Sequence, residues 1–265
     1  MAIIALDIGG TKIASAIIKN NTLKKVFIEP VKLKKEKFLS HIFSCINRLH
    51  NRQVSAICIS MPGVIKKSIL TAKVGNLPFL HKIPLKAVLE KKFKIPVSIE
   101  NDANCFIRGE KRYGQATKEN NVAGVIIGTG FGLGLILWNK LIKGKQTKSG
   151  EFGSLNFKNK TIEDYCSGKF FENEKGVNGK ILSMRARKGD PSAQHIFEEY
   201  GTNLGKAVQI LIDRYPVNMI IFGGSVVNDF SFFEESMRKQ IKKKIIIKQW
   251  SKKHIALLGA AQLIE

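Results

Sequence analysis

An apolar strand, a glycine turn and a second apolar strand follow one another twice in this chain. The first copy spans residues 3–18 around the turn Gly9-Gly10-Thr11. The second spans residues 122–138 around Gly128-Thr129-Gly130-Phe131-Gly132. Apolar runs on both sides of a glycine turn are typical of a β-hairpin. Because a unit that recurs along a chain indicates internal repetition, the sequence predicts two lobes of related topology.

Helical and strand patterns alternate through the rest of the chain, which predicts an α/β protein with mixed sheets. The predicted helices span residues 36–49, 85–93, 103–111, 161–171, 192–214, 231–243 and 255–264, and further strands span 55–59, 97–100 and 219–222. No linker rich in proline or serine separates the halves, so we expect closely joined lobes with a central cleft. We place the N-terminal lobe at residues 1–108, joined by a C-terminal helix at 254–265, and the C-terminal lobe at 109–253.

The composition is that of a globular protein. The chain has 265 residues, of which 44% are hydrophobic, and this is enough to bury a large core. No apolar run approaches the roughly 20 residues of a membrane helix, and the N-terminus carries no basic leader. Its four cysteines are far apart and form no close pair. We therefore expect a reduced, cytoplasmic protein without disulfides or membrane contact.

The formal net charge of +23 first suggests a polyanion as partner. However, 36 of the 44 basic residues are Lys and only 8 are Arg, whereas base-edge reading favours Arg. The basic residues are also spread through every predicted element. We favour solvated lysine-rich faces over a nucleic-acid surface.

The first glycine turn, Asp7-Ile8-Gly9-Gly10-Thr11-Lys12, has the composition of a phosphate-binding turn. Glycines let backbone N–H groups approach a phosphate because no Cβ atom stands in the way. Asp7 can hold Mg²⁺ through water, Thr11 can donate to a phosphoryl oxygen, and Lys12 either contacts a phosphate or points into solvent. The turn is not a P-loop, and taken alone it is equally consistent with an ordinary hairpin turn.

Two more glycine pairs strengthen the nucleotide-binding interpretation. Gly128-Thr129-Gly130 is a second turn of the same kind, and two such turns can bind a triphosphate from both sides. Gly223 and Gly224 follow the strand at 219–222 and would let an adenosine lie flat against the backbone. Each turn alone is a weak signal, but together they predict a site for a nucleoside triphosphate.

This arrangement resembles the actin and hexokinase superfamily, and five segments are similar to motifs of the ROK sugar kinases. Those segments are Ser60-Met61-Pro62-Gly63 with Asn76-Leu77-Pro78, Glu100-Asn101-Asp102-Ala103-Asn104, Gly150-Glu151-Phe152-Gly153, and Glu163-Asp164-Tyr165-Cys166-Ser167-Gly168. The resemblance covers nearly the whole chain. It implies a two-lobed actin-like ATPase fold of the ribonuclease H-like type.

The resemblance also implies roles for single residues. Asp102 is expected to be the general base that accepts the proton of a sugar hydroxyl. Asn101, Glu151 and Glu163 are expected to hydrogen-bond the sugar, with Gly63 and Asn76 lining its pocket. Local alternatives exist, because Asn101-Asp102 can cap the following helix and residues 161–164 match a capping box.

Two departures from the family pattern stand out. Ser154 occupies the position where ROK kinases usually carry a histidine that contacts the sugar. Residues 155–164 contain no Cys or His, so the expected zinc loop is missing and Cys166 stands alone. We expect an enzyme without zinc. The histidines, His41, His50, His81, His195 and His254, are isolated in the sequence and are expected to be structural.

The favoured reaction is transfer of the γ-phosphate of ATP to a hexose, as in a glucokinase. N-acetylmannosamine, N-acetylglucosamine and fructose remain open as substrates, and a homodimer is expected from the resemblance. One alternative class is a sugar-sensing regulator, which in this family carries a DNA-binding module ahead of the kinase-like part. The turn at Asp7 is expected to leave no room for such a module. Another is a catalytically silent sugar-binding protein, which Ser154 suggests but Asp7, Gly9, Gly10 and Asp102 disfavour.

Overall fold

The computed structural model describes residues 2–32, 34–66, 69–70, 79–143 and 149–264, without the side chains of residues 35, 36, 66, 69, 82 and 149–151. The chain divides into two compact units, Met1–Lys118 with Trp250–Glu265, and Glu119–Gln249. The boundary differs from the expected one at residue 108. Arg108 lies inside a helix that continues to Tyr113, so the chain leaves the first unit only after that helix ends.

The secondary-structure elements are labelled in chain order. Those of the first unit are β1 (Ala2–Ile8), β2 (Lys12–Lys19), β3 (Thr22–Pro30), α1 (Lys35–Leu49), β4 (Val54–Met61), β5 (Ile65–Lys66), β6 (Ile69–Leu70), α2 (Leu85–Phe93), β7 (Val97–Asn101) and α3 (Asp102–Tyr113). Those of the second unit are β8 (Val122–Ile127), β9 (Phe131–Leu137), β10 (Lys140–Ile142), β11 (Asn156–Phe157), β12 (Lys160–Thr161), α4 (Ile162–Cys166), α5 (Gly179–Arg187), α6 (Pro191–Arg214), β13 (Met219–Gly223), α7 (Glu234–Arg238) and β14 (Ile246–Gln249). The chain then returns to the first unit in α8 (Ile255–Ala261).

Each unit contains a five-stranded mixed sheet, and the two sheets have the same topology. The strand orders are β3-β2-β1-β4-β7 and β10-β9-β8-β13-β14. In each sheet a hairpin pairs antiparallel, and two later strands add in parallel beside its first strand. The predicted α/β class and the repeated topology are confirmed.

The sheet of the first unit carries helices α1 and α2 on an apolar face. Alternate residues of β1, namely Ile4, Leu6 and Ile8, join one core cluster with residues of α1 and α2. Helix α8 contacts β1, β2 and β4 and packs closely on α3. That close packing depends on Gly259, where a Cβ atom would lie 1.8 Å from the carbonyl oxygen of Cys105.

Strand β3 was not predicted from the sequence. It is an edge strand whose residues are mostly exposed. Its adjacent lysines interrupt the alternation of apolar and polar residues from which a strand is predicted. The Asn20-Asn21 turn that precedes it has φ angles of 49° and 58°. Such angles are those of the two-residue turn that suits the twist of a hairpin.

The predicted helices at 161–171 and 231–243 are shorter in the structure. Helix α4 ends at Cys166, because the next residues turn away and the Gly168 amide donates to the carbonyl of Gly128 at 2.8 Å. A π-helical turn, Phe170–Glu174, follows. A 3-10 segment, Ser225–Phe232, precedes α7. Among the described helices, none combines the length and the apolar character that a membrane crossing requires.

Candidate functional site

Three parallel strands of the first unit end beside one another and bring polar side chains to one edge of the sheet. In the strand register Asp7 of β1 pairs with Ser60 of β4, and Ser60 pairs with Glu100 of β7. The Ser60 hydroxyl donates to Asp7 Oδ1 at 2.6 Å. Ligands of open α/β sheets bind outside such carboxyl ends, so this edge is the candidate site of the first unit.

The first glycine turn lies directly after Asp7. The Gly9 amide donates to the Lys12 carbonyl at 2.8 Å, and a Cβ atom on Gly9 would lie 3.3 Å from that oxygen. Gly9 and Gly10 are half-buried, whereas Thr11 and Lys12 are exposed. The backbone of this turn is therefore accessible to a ligand such as a phosphate.

Asp102 is the first residue of α3 and is partly buried. Its Oδ1 accepts from the Ala103 amide at 2.8 Å. Burial raises the pKa of Asp102 to about 6, and the nearby negative charge of Asp7 adds to the increase. Burial also raises the pKa of Asp7, which the Ser60 hydrogen bond partly offsets. The negative charges of the two carboxyl groups therefore interact.

Asn101 is the N-cap of α3, as the local alternative predicted. Its side-chain oxygen accepts from the Asn104 amide at 3.1 Å, and its Nδ2 donates to the Gly63 carbonyl at 3.0 Å. Gly63 has a φ of 103°, which favours glycine. Buried Glu100 accepts from the Asn101 amide and from Asn104 Nδ2. These contacts hold Asn101 and Gly63 together beside Asp102.

The second glycine turn is anchored by the segment that follows α4. The Gly128 amide donates to the Gly130 carbonyl at 3.1 Å, which closes the turn. The Gly168 amide donates to the Gly128 carbonyl at 2.8 Å, and the Ser167 hydroxyl donates to the Thr129 carbonyl at 3.2 Å. The turn therefore has a fixed backbone conformation.

Gly223 and Gly224 lie at the end of β13, next to this turn. Gly223 pairs with Ile126 of β8 in parallel register. Gly224 has a φ of 96°, and a Cβ atom there would lie 2.3 Å from the Ile127 carbonyl oxygen. A larger residue would separate the two strand ends, so the glycine is required by close packing.

Glu163 lies in the first turn of α4, beside the second glycine turn. Its Oε2 accepts from the Phe131 amide at 3.0 Å, and its Oε1 pairs with Lys169 Nζ at 2.6 Å. Thr161 and Asp164 form the predicted capping box, which orients this turn of the helix. Glu163 is therefore fixed to the glycine turn by direct contacts.

The remaining predicted sugar ligands are less well defined. Ser154 is exposed at the end of a 3-10 segment, Ser149–Ser154. Asn76 and the side chain of Glu151 lie outside the described residues. Sequence reasoning gave no role to Ser60, Glu100 or Lys169. Ser60 and Glu100 lie within segments that resemble the family motifs. The contact of Lys169 with Glu163 could not be predicted from spacing, because the two residues are more than one helical turn apart in the sequence.

A Glu29, His41 and Cys45 group is the combination of described residues that offers metal-type ligands within 4.8 Å of one another. His41 is therefore not isolated, since its Nε2 lies 2.8 Å from Glu29 Oε2. Arg48 also pairs with Glu29. Burial, together with the charge of Glu29, raises the pKa of Cys45 to about 11. The Cys45 thiol is therefore neutral, and the Glu29 carboxylate is already paired with Arg48. We interpret this group as a packing contact between α1 and β3 rather than as a metal site.

Comparisons with known proteins find relatives among sugar kinases and among repressors. The chain is 28% identical to an N-acetyl-D-glucosamine kinase of Haemophilus influenzae over 89% of the chain and 88% of that relative. It is 25% identical to a xylose repressor of Caldicellulosiruptor bescii over 94% of the chain and 72% of that relative.

Among solved structures, the ROK family glucokinase of Streptomyces griseus in complex with glucose and AMPPNP superposes with a TM-score of 0.84. It is 25% identical, with 99% of each chain covered. The sequence profile of the ROK family matches residues 3–263, and the chain belongs to that family.

Proposed function

We propose that the chain is an ATP-dependent sugar kinase, of glucokinase type, in which Asp102 is the general base. The observation that carries this proposal is the position and acidity of Asp102. Asp102 is the first residue of α3 and lies near Asp7, and its pKa of about 6 leaves the carboxyl group ionised at neutral pH. A carboxylate with a pKa near the working pH is an effective proton acceptor.

The glycine turns supply the phosphate-binding function in this proposal. Phosphoryl transfer depends on positioning and on stabilisation of charge rather than on covalent chemistry. The partly exposed turn at residues 9–12 and the anchored turn at residues 128–130 are glycine turns of the kind whose backbone amides bind phosphates. The close contact of Gly224 with the Ile127 backbone holds the end of β13 beside the second turn, where an adenosine would lie against the backbone.

Mg²⁺ fits the first unit. The adjacent negative charges of Asp7 and Asp102 favour a cation, and Asp7 offers the carboxylate oxygen that Mg²⁺ prefers. When bound, Mg²⁺ neutralises phosphate charge. Asp7 would hold the ion through water, while the Ser60 hydroxyl keeps the Asp7 carboxylate oriented.

The sugar would be bound by Asn101 and Glu163, together with Glu151 and Asn76. Asn101 retains a donor hydrogen on Nδ2 beyond the one given to Gly63, because a side-chain amide carries two. The glucose complex of the Streptomyces griseus relative supports a hexose, and the Haemophilus influenzae relative supports an N-acylhexosamine as the second candidate. The expected homodimer and cytoplasmic location stay predictions.

The first test is Asp102→Asn. Loss of the proton acceptor should lower kcat for the preferred sugar by at least about 100-fold, whereas ATP affinity should be retained because the glycine turns are unchanged. The measurement is coupled ADP release over glucose, mannose, fructose, N-acetylglucosamine and N-acetylmannosamine, with ATP binding measured by calorimetry.

The control for this test is Asp213→Asn, which removes an exposed carboxylate paired with Lys243 and should leave turnover unchanged. Substantial turnover by Asp102→Asn would remove Asp102 from the role of base. A regulator, as the repressor relative suggests, would instead bind a sugar without any ADP release by the wild-type protein.

A further inference from the structure

Lys169 donates to Glu163 beside the second glycine turn and has no role in the reaction proposed above. It follows Ser167 and Gly168, the two residues that anchor the second glycine turn. Its own amide donates to the Ser167 hydroxyl at 3.2 Å. The backbone of Lys169 is therefore tied to the same turn that Glu163 contacts.

The two oxygens of Glu163 have different partners. Oε1 accepts from Lys169 Nζ at 2.6 Å, and Oε2 accepts from the Phe131 amide at 3.0 Å. A Cβ atom on Gly130 would lie only 2.9 Å from Oε2, so the carboxylate rests directly against the turn. An ionised carboxylate has about four acceptor positions. These two contacts therefore leave about two positions free and fix the direction in which they point.

We infer that Lys169 is a positioning residue that holds the Glu163 carboxylate against the Phe131 amide and so orients its remaining lone pairs toward the sugar hydroxyls. This inference rests on the proposed sugar-kinase function. Without the ammonium group, Glu163 can leave the turn by rotating its side chain into solvent. The consequences are weaker sugar binding and a less protected Phe131 amide.

The exposure of the pair limits the size of the effect. The side chains of Lys169 and Glu163 are 40% and 32% exposed. Ion pairs of this exposure change an equilibrium by at most about fivefold. Folding should therefore be almost unaffected, and the effect should appear in the properties of the site.

The test compares Lys169→Met, Lys169→Arg and a control, Lys160→Met, in the full-length protein. Lys160 pairs with Glu174 rather than with Glu163, at similar exposure. For Lys169→Met, the KM of the sugar should rise about two- to fivefold, with kcat and the KM of ATP unchanged. Lys169→Arg should restore the sugar KM, and Lys160→Met should match the wild type.

Hydrogen exchange of the ligand-free protein provides a second readout that does not require turnover. The Phe131 amide should exchange about two- to fivefold faster in Lys169→Met and at the wild-type rate in Lys160→Met. A wild-type protein that phosphorylates no sugar would refute the proposed function, whereas this exchange measurement would still test the contact.

Three results would overturn the inference. An increased KM for ATP with an unchanged sugar KM would make Lys169 a phosphate ligand. If Lys169→Met changed neither the sugar KM nor the exchange rate of the Phe131 amide, the Lys169–Glu163 pair would be an ordinary surface contact. Failure of arginine to restore the sugar KM, with normal folding, would show that positive charge at this place is not what positions Glu163.

Discussion

At the scale of single residues, two neighbours at the start of α3 have different roles: Asn101 caps the helix, and Asp102 is the proposed base. Asn101 caps the helix through the Asn104 amide, so Asp102 is not needed for that purpose. Glu100 binds both asparagines and keeps the cap in place. Asp102 is left with a raised pKa because it is partly buried and lies near the negative charge of Asp7. An acid kept in such surroundings lowers stability while it is ionised.

The cost of that ionisation can be measured. The pKa of Asp102 is about 6 in the folded protein against an ordinary value of 3.8, so the folded state binds more protons between about pH 4 and 6. The contribution of Asp102 to the unfolding free energy should therefore fall as pH rises through this window. Asp102→Asn removes the charge and should increase the unfolding free energy by about 1–3 kcal/mol at pH 8, with no gain near pH 4. The measurement is urea unfolding across pH.

A control with the opposite sign is Asp190→Asn. Hydrogen bonds from Ser192 and Arg185 lower the pKa of Asp190 to about 2. Removing that charge should decrease stability at neutral pH, and the decrease should vanish in acid. If Asp102→Asn were destabilising at pH 8, the proposed strain on the ionised acid would be wrong.

At the scale of elements, the local sequence pattern was sufficient to predict the bounds of a helix or strand where its buried residues follow the expected periodicity. Helix α2 and strand β8 have the predicted bounds, and α6 differs by one residue. Helix α5 was missed because exposed Ile181 and Met184 disturb its polar face. The contacts of Glu163 with Lys169 and Phe131 were also missed. They arise from tertiary packing of α4 against the glycine turn, and no spacing in the chain encodes them.

The close packing of α3 on α8 supports the position of Asp102. Gly259→Ala would place a Cβ atom 1.8 Å from the Cys105 carbonyl and 2.7 Å from the Gly109 amide. Because both are backbone atoms, the helices must separate, and we expect a loss of about 3 kcal/mol in unfolding free energy together with a lower kcat. Chemical denaturation and the coupled assay measure the two effects.

Gly189→Ala is the matched control, since Gly189 has a φ of 84° but no atom within 4 Å of the added methyl group. It should lose only about 1 kcal/mol and retain full kcat. Equal losses in the two variants would mean that helix separation is not the cause.

At the scale of the whole molecule, the two units repeat one topology, but the chain does not divide into consecutive halves. Residues 250–265 return to the first unit. Ile255, Leu257 and Leu258 of α8 are buried there. Burial of such side chains stabilises by about 1.5–3 kcal/mol each, a total comparable with the stability of a small domain. The first unit therefore depends on the last segment of the chain.

A chain that ends at Gln249 tests this dependence. The first unit should unfold, whereas the second unit should persist as a trypsin-resistant fragment spanning residues 119–249. Mass spectrometry of the digest identifies the fragment, and a chain that ends at Leu263 serves as control. Equal resistance of both units in the truncated chain would show that α8 is dispensable.

The pairing of Asp7, Ser60 and Glu100 across β1, β4 and β7 has a consequence for how the protein tolerates change. A shift of one residue in β4 or β7 would bring Ile59 or Ile99 into the row and turn the polar groups to the opposite face. Insertions within these strands should therefore abolish the site even where the sheet still forms.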